Sequence, residues 1–199
     1  MASVNSDLLQ PAQLATSAKL LIAGGFGVGK TTMVGSVSEI APLRTEESLT
    51  ALSMDFDSLD GVEDKTTTTV ALDFGRITLN PSLILYLFGT PGQDRFWFMW
   101  KELAFGALGA VVLADTRRLD SCFPAVDFFE KTGIPFVVGV NCFDGADRYD
   151  EGEVRDAIDL DPYVPIALCD VRDRESSKAV LTVLMEHVIA AAHARSRAR

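Results

Sequence analysis

Few residues in this chain can bind a metal through nitrogen or sulfur, or form a disulfide. The 199 residues include three cysteines and two histidines. Cys122, Cys142 and Cys169 have neither a C-x-x-C pair nor another metal-binding spacing, and we expect reduced thiols in a cytosolic protein. His187 and His193 are six positions apart on a predicted helix and do not share a face. A disulfide scaffold and a cysteine or histidine metal site are therefore not expected.

Basic residues are also scarce relative to acidic ones. The chain has 18 Lys and Arg against 28 Asp and Glu, a net charge of -10. Binding to nucleic acid or to an anionic lipid surface depends on Lys and Arg that neutralise phosphates. No nucleic-acid partner is expected, and the basic tail 194–199 is interpreted as a solvated end.

Long apolar segments are missing as well. The longest uncharged apolar stretch, Leu103 to Ala114, is well below the ~20 residues that cross a bilayer. The polar start after Met1 has no export or lipidation signal. We expect one cytoplasmic domain over 18–193 after a loose segment 1–17, with no direct membrane insertion, which partners can recruit to a membrane.

The most informative pattern that is present lies near the start of the chain. Residues 24–31 read Gly-Gly-Phe-Gly-Val-Gly-Lys-Thr, a full G-x-x-x-x-G-K-[ST] match after the apolar run 19–23. Glycines let successive N–H groups curl round a polyphosphate, Lys30 meets the β- and γ-oxygens, and Thr31 offers a hydroxyl to Mg²⁺. A glycine-rich turn without a ligand is the alternative. The predicted nucleotide-binding residues here are Gly25, Phe26, Gly27, Val28, Gly29, Lys30, Thr31 and Thr32.

Strands and helices alternate over most of the chain. Helices are predicted at about 31–40, 95–103, 122–131, 152–158 and 176–192, and strands at 19–23, 69–79, 82–88, 109–114, 135–140 and 164–168. The second and third strands form a hairpin across Asn80-Pro81, whereas residues 43–65 are acidic and irregular. The pattern predicts a six-stranded, mostly parallel α/β sheet with one antiparallel strand and helices on both faces. Ligands bind beyond the carboxyl ends of such strands.

Five segments on that rim resemble the ordered motifs of Ras-like small GTPases. They are the loop 24–31, Thr69 before a strand, Thr90-Pro91-Gly92-Gln93-Asp94-Arg95-Phe96, Asn141-Cys142-Phe143-Asp144 and Cys169-Asp170. Within that superfamily the chain most resembles the bacterial MglA-like branch, and specifically the GTPase encoded in actinobacterial conservon operons. The resemblance implies a Ras-like P-loop NTPase fold that binds GTP and GDP with Mg²⁺.

The resemblance also assigns residues around the triphosphate. Thr69 would be the switch-one threonine that completes Mg²⁺ coordination beside Thr31, or else a strand-edge threonine, and the run Thr66 to Thr69 leaves the register open. Gly92 would donate an N–H to the γ-phosphate, and Gln93 would orient the attacking water. Lys30, Thr69 and Gln93 are thus the predicted catalytic residues.

Base recognition would rest on Asn141 and Asp144. An acceptor-only carboxylate matches the guanine N1 and N2 donors and cannot satisfy the edge of adenine. The alternative for Asn-x-x-Asp is an Asx turn. Backbone groups around Cys169, Asp170 and Val171 would meet the guanine carbonyl.

Two departures from the family pattern affect this site. Gly89 stands where most small GTPases have the aspartate of D-x-x-G, which removes the carboxylate that supports Mg²⁺ through water. Cys142 replaces the lysine of N-K-x-D, which removes an aliphatic stem over the base. Weaker binding of magnesium and guanine is therefore expected.

The switch segments carry two further features. Thr69 lies 39 positions after Lys30, roughly double the usual spacing, so we expect an extended switch I at about 43–69. Its carboxylates Asp55, Asp57, Asp60, Glu63 and Asp64 are interpreted as a solvated loop rather than a substitute for the metal aspartate. Arg44 is either an intrinsic arginine for the phosphates or part of a surface turn. Aromatic and methionine residues at 96–100 point all round a helix, so one or two should be exposed as a partner surface.

The sequence therefore predicts a GTPase switch of bacterial signalling that hydrolyses GTP slowly unaided. No arginine is evidently placed on the γ-phosphate, so a partner is expected to assist. The resemblance names a roadblock/LC7-type homodimer and a sensor histidine-kinase-like membrane protein as partners. The alternatives are a guanine-nucleotide scaffold that does not hydrolyse and an ATP-binding P-loop protein.

Overall fold

The computed structural model describes residues 15–41, 43–49, 68–92, 96 and 98–197. The strands are β1 Thr16–Gly24, β2 Leu43–Leu49, β3 Thr68–Asn80, β4 Leu83–Gly89, β5 Ala107–Ala114, β6 Phe136–Asn141 and β7 Ile166–Cys169. The helices are α1 Lys30–Val37, α2 Phe98–Ala104, α3 Phe123–Thr132, α4 Glu151–Ala157 and α5 Arg174–Arg197. A 3-10 segment, Thr116–Cys122, leads into α3.

All seven strands form one sheet, in the order β2-β3-β4-β1-β5-β6-β7. Every pair from β4 to β7 is parallel, whereas β3 is antiparallel to both of its neighbours. The predicted mostly parallel sheet with one antiparallel strand is confirmed. Its predicted six strands become seven because β2 extends the edge.

β2 corrects the expectation of an irregular segment from residue 43. Its backbone pairs with β3 from Leu43 opposite Phe74 to Leu49 opposite Thr68. Glutamate is less common in strands than most residues, so the sequence of this segment did not predict a strand. An antiparallel partner satisfies the backbone N–H and C=O groups whatever the side chains are. The rest of the predicted switch I, with its five carboxylates, lies outside the described residues.

Helices cover both faces of the sheet, as predicted, and strand alternation divides the core in two. Leu21 and Ala23 of β1 face a cluster that includes Trp100, Phe129 and Val154, from α2, α3 and α4. Leu20 and Ile22 face α1 and α5 through residues that include Met33, Val34, Val180 and Leu184. Continuous apolar strands of this kind are typical of a sheet buried on both sides.

The carboxyl ends of the parallel strands meet at one rim. β1 ends at Gly24 beside Leu113 of β5, and β6 ends at Asn141 opposite Cys169 of β7. β3 crosses the same rim in its middle, because Asp73 pairs with Gly89 at the end of β4. α5 continues to Arg197, past the predicted end at 192 and through most of the predicted tail, since its residues are mainly good helix formers. Within the described ranges, no helix is both long and apolar enough to span a bilayer.

Candidate nucleotide-binding site

The phosphate loop joins β1 to α1 in a conformation that depends on glycine. Gly27 has φ 74° and Gly29 has φ 108°, both in the region that L side chains rarely adopt. Gly29 also has no room, because a Cβ there would lie 2.8 Å from Asn141 Nδ2 and 2.8 Å from Val171 Cγ2. α1 begins directly after it at Lys30, so the helix N-terminus faces the loop. Loop and helix together form the arrangement that binds phosphate anions.

The side chain of Lys30 folds back onto the phosphate loop. Its Nζ donates to Gly24 O at 2.9 Å and to Gly25 O at 2.6 Å, and the residue is 9% exposed. Burial lowers the pKa of Lys30 to about 8, and the negative charge of Asp73 opposes part of that shift. A Cβ at position 92 would lie 2.4 Å from this Nζ, so Gly92 is packed against the ammonium group.

The hydroxyl of Thr31 has a carboxylate partner that the sequence analysis missed. Thr31 Oγ1 donates to Asp73 Oδ2 at 2.5 Å. Asp73 is opposite Gly89 in the β3–β4 register, and a Cβ on Gly89 would lie 3.0 Å from Asp73 Cβ and 3.1 Å from Oδ2. The carboxylate therefore occupies the space that an aspartate side chain at position 89 would need. An acidic residue four positions after Thr69, facing a glycine across a predicted hairpin, was the signal that could have revealed it.

Asn141 connects the phosphate loop to the two loops predicted to contact the base. Its Nδ2 donates to Val28 O at 3.0 Å, and its Oδ1 accepts from the N–H of Val171 at 3.3 Å. The residue is 4% exposed, so both of these bonds are protected from water. Cys142 N donates to Cys169 O at 2.7 Å, which adds a backbone connection between the same loops. The predicted residues Val28, Asn141, Cys169 and Val171 are thus brought together.

Asp144 is exposed on the rim and is bound by Arg172. The guanidinium of Arg172 donates to both oxygens of Asp144, at 2.6 and 3.0 Å, and also to Asp170 Oδ2 at 2.7 Å. The hydrogen bonds from Arg172 lower the pKa of Asp144, and they lower the pKa of Asp170 to about 2. Both carboxylates are therefore acceptors at neutral pH. Arg172 was not predicted as a site residue.

The N–H groups expected to meet the guanine carbonyl are used within the protein. Asp170 N donates to Ser176 Oγ at 2.9 Å, and Val171 N is the donor to Asn141. Beside them, the guanidinium of Arg117 lies 3.9 Å from the ring centre of Phe143 and forms two short hydrogen bonds with the buried Asp115. The residue after Cys142 thus carries an aromatic ring stacked with a planar cation.

Among the other predicted residues, Thr69 lies away from this geometry. Thr69 is a strand residue of β3 that pairs with Ser48 of β2, about 13 Å along the strand from Asp73. Gln93 lies outside the described residues, so its catalytic role stays a prediction. Thr32 is exposed on α1 next to Thr31. The side chain of Arg44 is likewise not described, although its backbone belongs to β2.

The aromatic segment after the second switch divides between core and surface. Phe98 is 53% exposed, which confirms that at least one of these groups faces solvent. Trp100 is 2% exposed, its Nε1 donates to Pro91 O at 3.2 Å, and it packs on Phe128 and Phe129. It is therefore a core residue and not the exposed partner anchor that the pattern allowed. Trp97 lies outside the described residues.

Comparisons with known proteins identify a family for this chain. The family model "Conserved hypothetical ATP binding protein" matches residues 22–191. An uncharacterised protein of Methanocaldococcus jannaschii is 32% identical over 132 residues, 65% of this chain and 72% of that protein.

Solved structures of FeoB iron-transporter domains share the fold. The cytosolic domain of T. maritima FeoB in a GDP form has a TM-score of 0.62 at 14% identity, and the match covers 87% of this chain and 64% of that one. The Methanococcus jannaschii FeoB G-domain has a TM-score of 0.57 at 12% identity, covering 87% of this chain and 98% of that one. This chain thus spans about two thirds of the first domain and nearly all of the second. At such identities the likeness establishes the fold, and by the family match the chain belongs to the conserved hypothetical ATP-binding protein family, with the fold of a P-loop GTPase G-domain.

Proposed function

We propose that this protein binds GTP and GDP at the rim and hydrolyses GTP. The observation that carries the proposal is the bridge through Asn141, whose amide joins Val28 of the phosphate loop to Val171. The bridge fixes the distance between the anion-binding loop and Asp144, three residues further on. A nucleoside triphosphate with its base at Asp144 and its phosphates at Lys30 would fit both ends.

Guanine is favoured over adenine by the chemistry at position 144. Arg172 presents guanidinium N–H donors to both Asp144 oxygens, the same donor pattern that guanine N1 and N2 would offer. Adenine has an acceptor at N1 and would repel the carboxylate. The family description names ATP, whereas the FeoB structures include GDP and GMPPNP forms. We infer that the guanine assignment applies to this chain.

Magnesium is implied by the fold, and the residues present fit it. The hydroxyl of Thr31 and the carboxylate of Asp73 supply hard oxygen donors next to the phosphate loop. No group of three or more His, Cys, Asp or Glu suited to a metal occurs among the described residues, so phosphate oxygens would complete the coordination. When bound, the ion would neutralise charge on the β- and γ-phosphates. Asp73 would take over the function of the aspartate missing at position 89.

The described residues would bind the triphosphate and position it for hydrolysis. The loop N–H groups and Lys30 would hold the β- and γ-phosphates, and Gly92 would lie at the γ-phosphate because it packs against the same ammonium group. We propose Gln93 as the residue that orients the water. We further propose that the chain belongs to the MglA-like branch and switches bacterial signalling together with a roadblock/LC7-type homodimer and a sensor histidine-kinase-like protein. The exposed Phe98 near the switch supports such a partner surface.

Two measurements test the proposal. The nucleotide that copurifies with the protein should be GDP or GTP, and unlabelled ATP should compete with labelled GTP at least about 100-fold less well than GTP does. Comparable affinity for ATP would remove the guanine assignment.

Single-turnover release of phosphate from GTP then separates an enzyme from a scaffold. Release should exceed that of Lys30→Ala, which has lost the main phosphate cation. Binding without release above that control would favour the non-hydrolysing scaffold.

A further inference from the structure

Arg118 lies against the outside of the phosphate loop. It belongs to the 3-10 segment Thr116–Cys122 after β5, where its own backbone leaves the helical region, with φ -151° and ψ 57°. Its Nη2 donates to Phe26 O, in the middle of the loop, at 3.0 Å. The same nitrogen lies 3.6 Å from the place of a Cβ on Gly27. A cation 92 positions away in sequence is therefore held beside the residues predicted to bind phosphate.

Arg118 also lines a cavity that reaches the switch. The cavity has a volume of about 520 Å³, and its walls include Gly25, Phe26, Gly92, Arg118 and Ser121. Gly25 and Gly92 also lie beside Lys30 Nζ, so one end of the cavity is next to this ammonium group. Ser121 Oγ is buried there without a hydrogen-bond partner among the described residues. The cavity thus lies on the γ-phosphate side of the loop and has unsatisfied polar lining.

Arg118 forms one long ion pair among the described residues, with Asp115, and Asp120 adds a second carboxylate to the cavity wall. Asp115 Oδ2 is 3.9 Å from Nη2 of Arg118, but the same carboxylate forms hydrogen bonds of 2.8 and 2.9 Å with Arg117. A guanidinium has five N–H donors in a fixed fork. The described hydrogen bond to Phe26 O uses one of them, which leaves others for an anion.

We propose that Arg118 is a catalytic arginine, supplied by the chain itself, that binds the γ-phosphate of GTP during hydrolysis. The inference rests on the proposed GTPase function. The oxygen of water forms a bond to the γ-phosphorus while the bond from that phosphorus to the β–γ bridging oxygen breaks. The electron pair of the broken bond stays on the bridging oxygen of GDP, one water proton remains on the released phosphate, and the other goes to solvent. Arg118 stabilises the negative charge that moves onto the bridging and γ-oxygens.

The competing explanation is that Arg118 only braces the loop through Phe26 O. A brace would alter nucleotide affinity or loop stability, whereas a catalytic arginine lowers the rate with little change in binding. Arg195 provides a matched control, because it is an exposed arginine that donates to a loop carbonyl, Gly133 O, at 2.7 Å, and is remote from the phosphate loop.

The test measures single-turnover GTP hydrolysis and GTP affinity for the wild-type protein, Arg118→Ala, Arg118→Lys and Arg195→Ala. Arg118→Ala should lower the hydrolysis rate by at least about 100-fold and change the GTP Kd by less than about threefold. The hydrolysis rate of Arg118→Lys should lie between those of the wild type and Arg118→Ala, because lysine keeps the charge and lacks the forked N–H donors of the guanidinium. Arg195→Ala should match the wild type. Unchanged hydrolysis in Arg118→Ala, or a loss explained by weaker binding, would overturn the proposal.

A second readout does not depend on turnover. GDP with aluminium fluoride mimics the transition state, and an arginine in cis should let the wild-type protein form that complex without a partner. Tryptophan fluorescence should report the complex in the wild type and its loss in Arg118→Ala. A wild type that binds GDP but forms no such complex refutes the catalytic arginine and leaves nucleotide binding intact. Failure to bind GTP above Lys30→Ala would instead refute the proposed function, and this inference with it.

Discussion

The candidate site has two halves, which follow the family pattern to different degrees: the phosphate loop, and the residues proposed to contact the metal and the base. The phosphate half is one continuous segment, 24–31, with glycines at positive φ and Lys30 bonded to the loop carbonyls. The half proposed to bind the metal and the base differs from the family pattern, because Asp73 on β3 fills the space in front of Gly89 and Arg172 forms hydrogen bonds with Asp144. A carboxylate that supports a metal ion needs only the right position, so either of two paired strands can supply it. A loop that wraps an anion needs consecutive N–H groups, so it cannot be redistributed in this way.

Removing Asn141, which links the two halves, should give the largest effect, a loss of stability. Asn141→Ala would leave Val28 O and Val171 N–H buried without their partner, so we expect a loss of about 2–4 kcal/mol in unfolding free energy. That corresponds to a fall in Tm of roughly 4–16 °C. Thermal unfolding of the nucleotide-free protein measures it. Asn80→Ala is the control, since Asn80 is an exposed turn residue that bonds Ser82, and an equal effect from both changes would show that the bridge is unimportant.

Exchanging two residues across the strand pair tests the relocated carboxylate. Gly89→Asp alone should destabilise the protein and weaken Mg²⁺-dependent GTP binding, because its Cβ would lie 3.0 Å from Asp73 Cβ. Asp73→Gly alone should weaken Mg²⁺ binding by about 10- to 100-fold through loss of the carboxylate. The double variant Asp73→Gly, Gly89→Asp should recover much of both losses. Magnesium titrations of GTP binding measure all three, and a double variant no better than Asp73→Gly would contradict the substitution.

Much of this fold was evident in the sequence, since apolar runs and helical periodicity located most elements. β2 was missed because hydrogen bonds to β3, not its own acidic residues, hold it in the sheet. The phosphate-loop motif was recognisable in the sequence because its residues are consecutive. Asp73, Arg118 and Arg172 were not, because their relevance comes from pairing register and loop packing that join residues 28 to 92 positions apart. Which ring of the aromatic run packs on α3 could not be predicted for the same reason, because the run alone does not distinguish Trp100 from its neighbours.

Removing Arg172 should have a smaller effect, on the affinity for GTP. Arg172→Ala frees the Asp144 carboxylate for guanine, so we expect GTP affinity to rise by roughly two- to fivefold, in the range of an exposed ion pair. ATP affinity should not change. Lys178→Ala is the control, because it removes another exposed pair, with Glu175 at 2.7 Å, on α5. Weaker GTP binding in Arg172→Ala would mean that the arginine itself contacts the nucleotide.

The smallest expected signal comes from Lys30 in the phosphate half. Burial lowers its pKa to about 8 in the free protein, and a bound polyphosphate restores the charged form. Binding therefore takes up protons at and above that pKa, so affinity falls as pH rises through 8. Calorimetry of GTP binding in buffers of different ionisation enthalpy should give an uptake of about 0.8 proton at pH 8.5 and about 0.2 at pH 7.5. No uptake at pH 8.5 would mean that Lys30 is already fully protonated in the free protein, where it donates to the loop carbonyls. Packing against Gly25 and Gly92 would then leave its pKa unlowered.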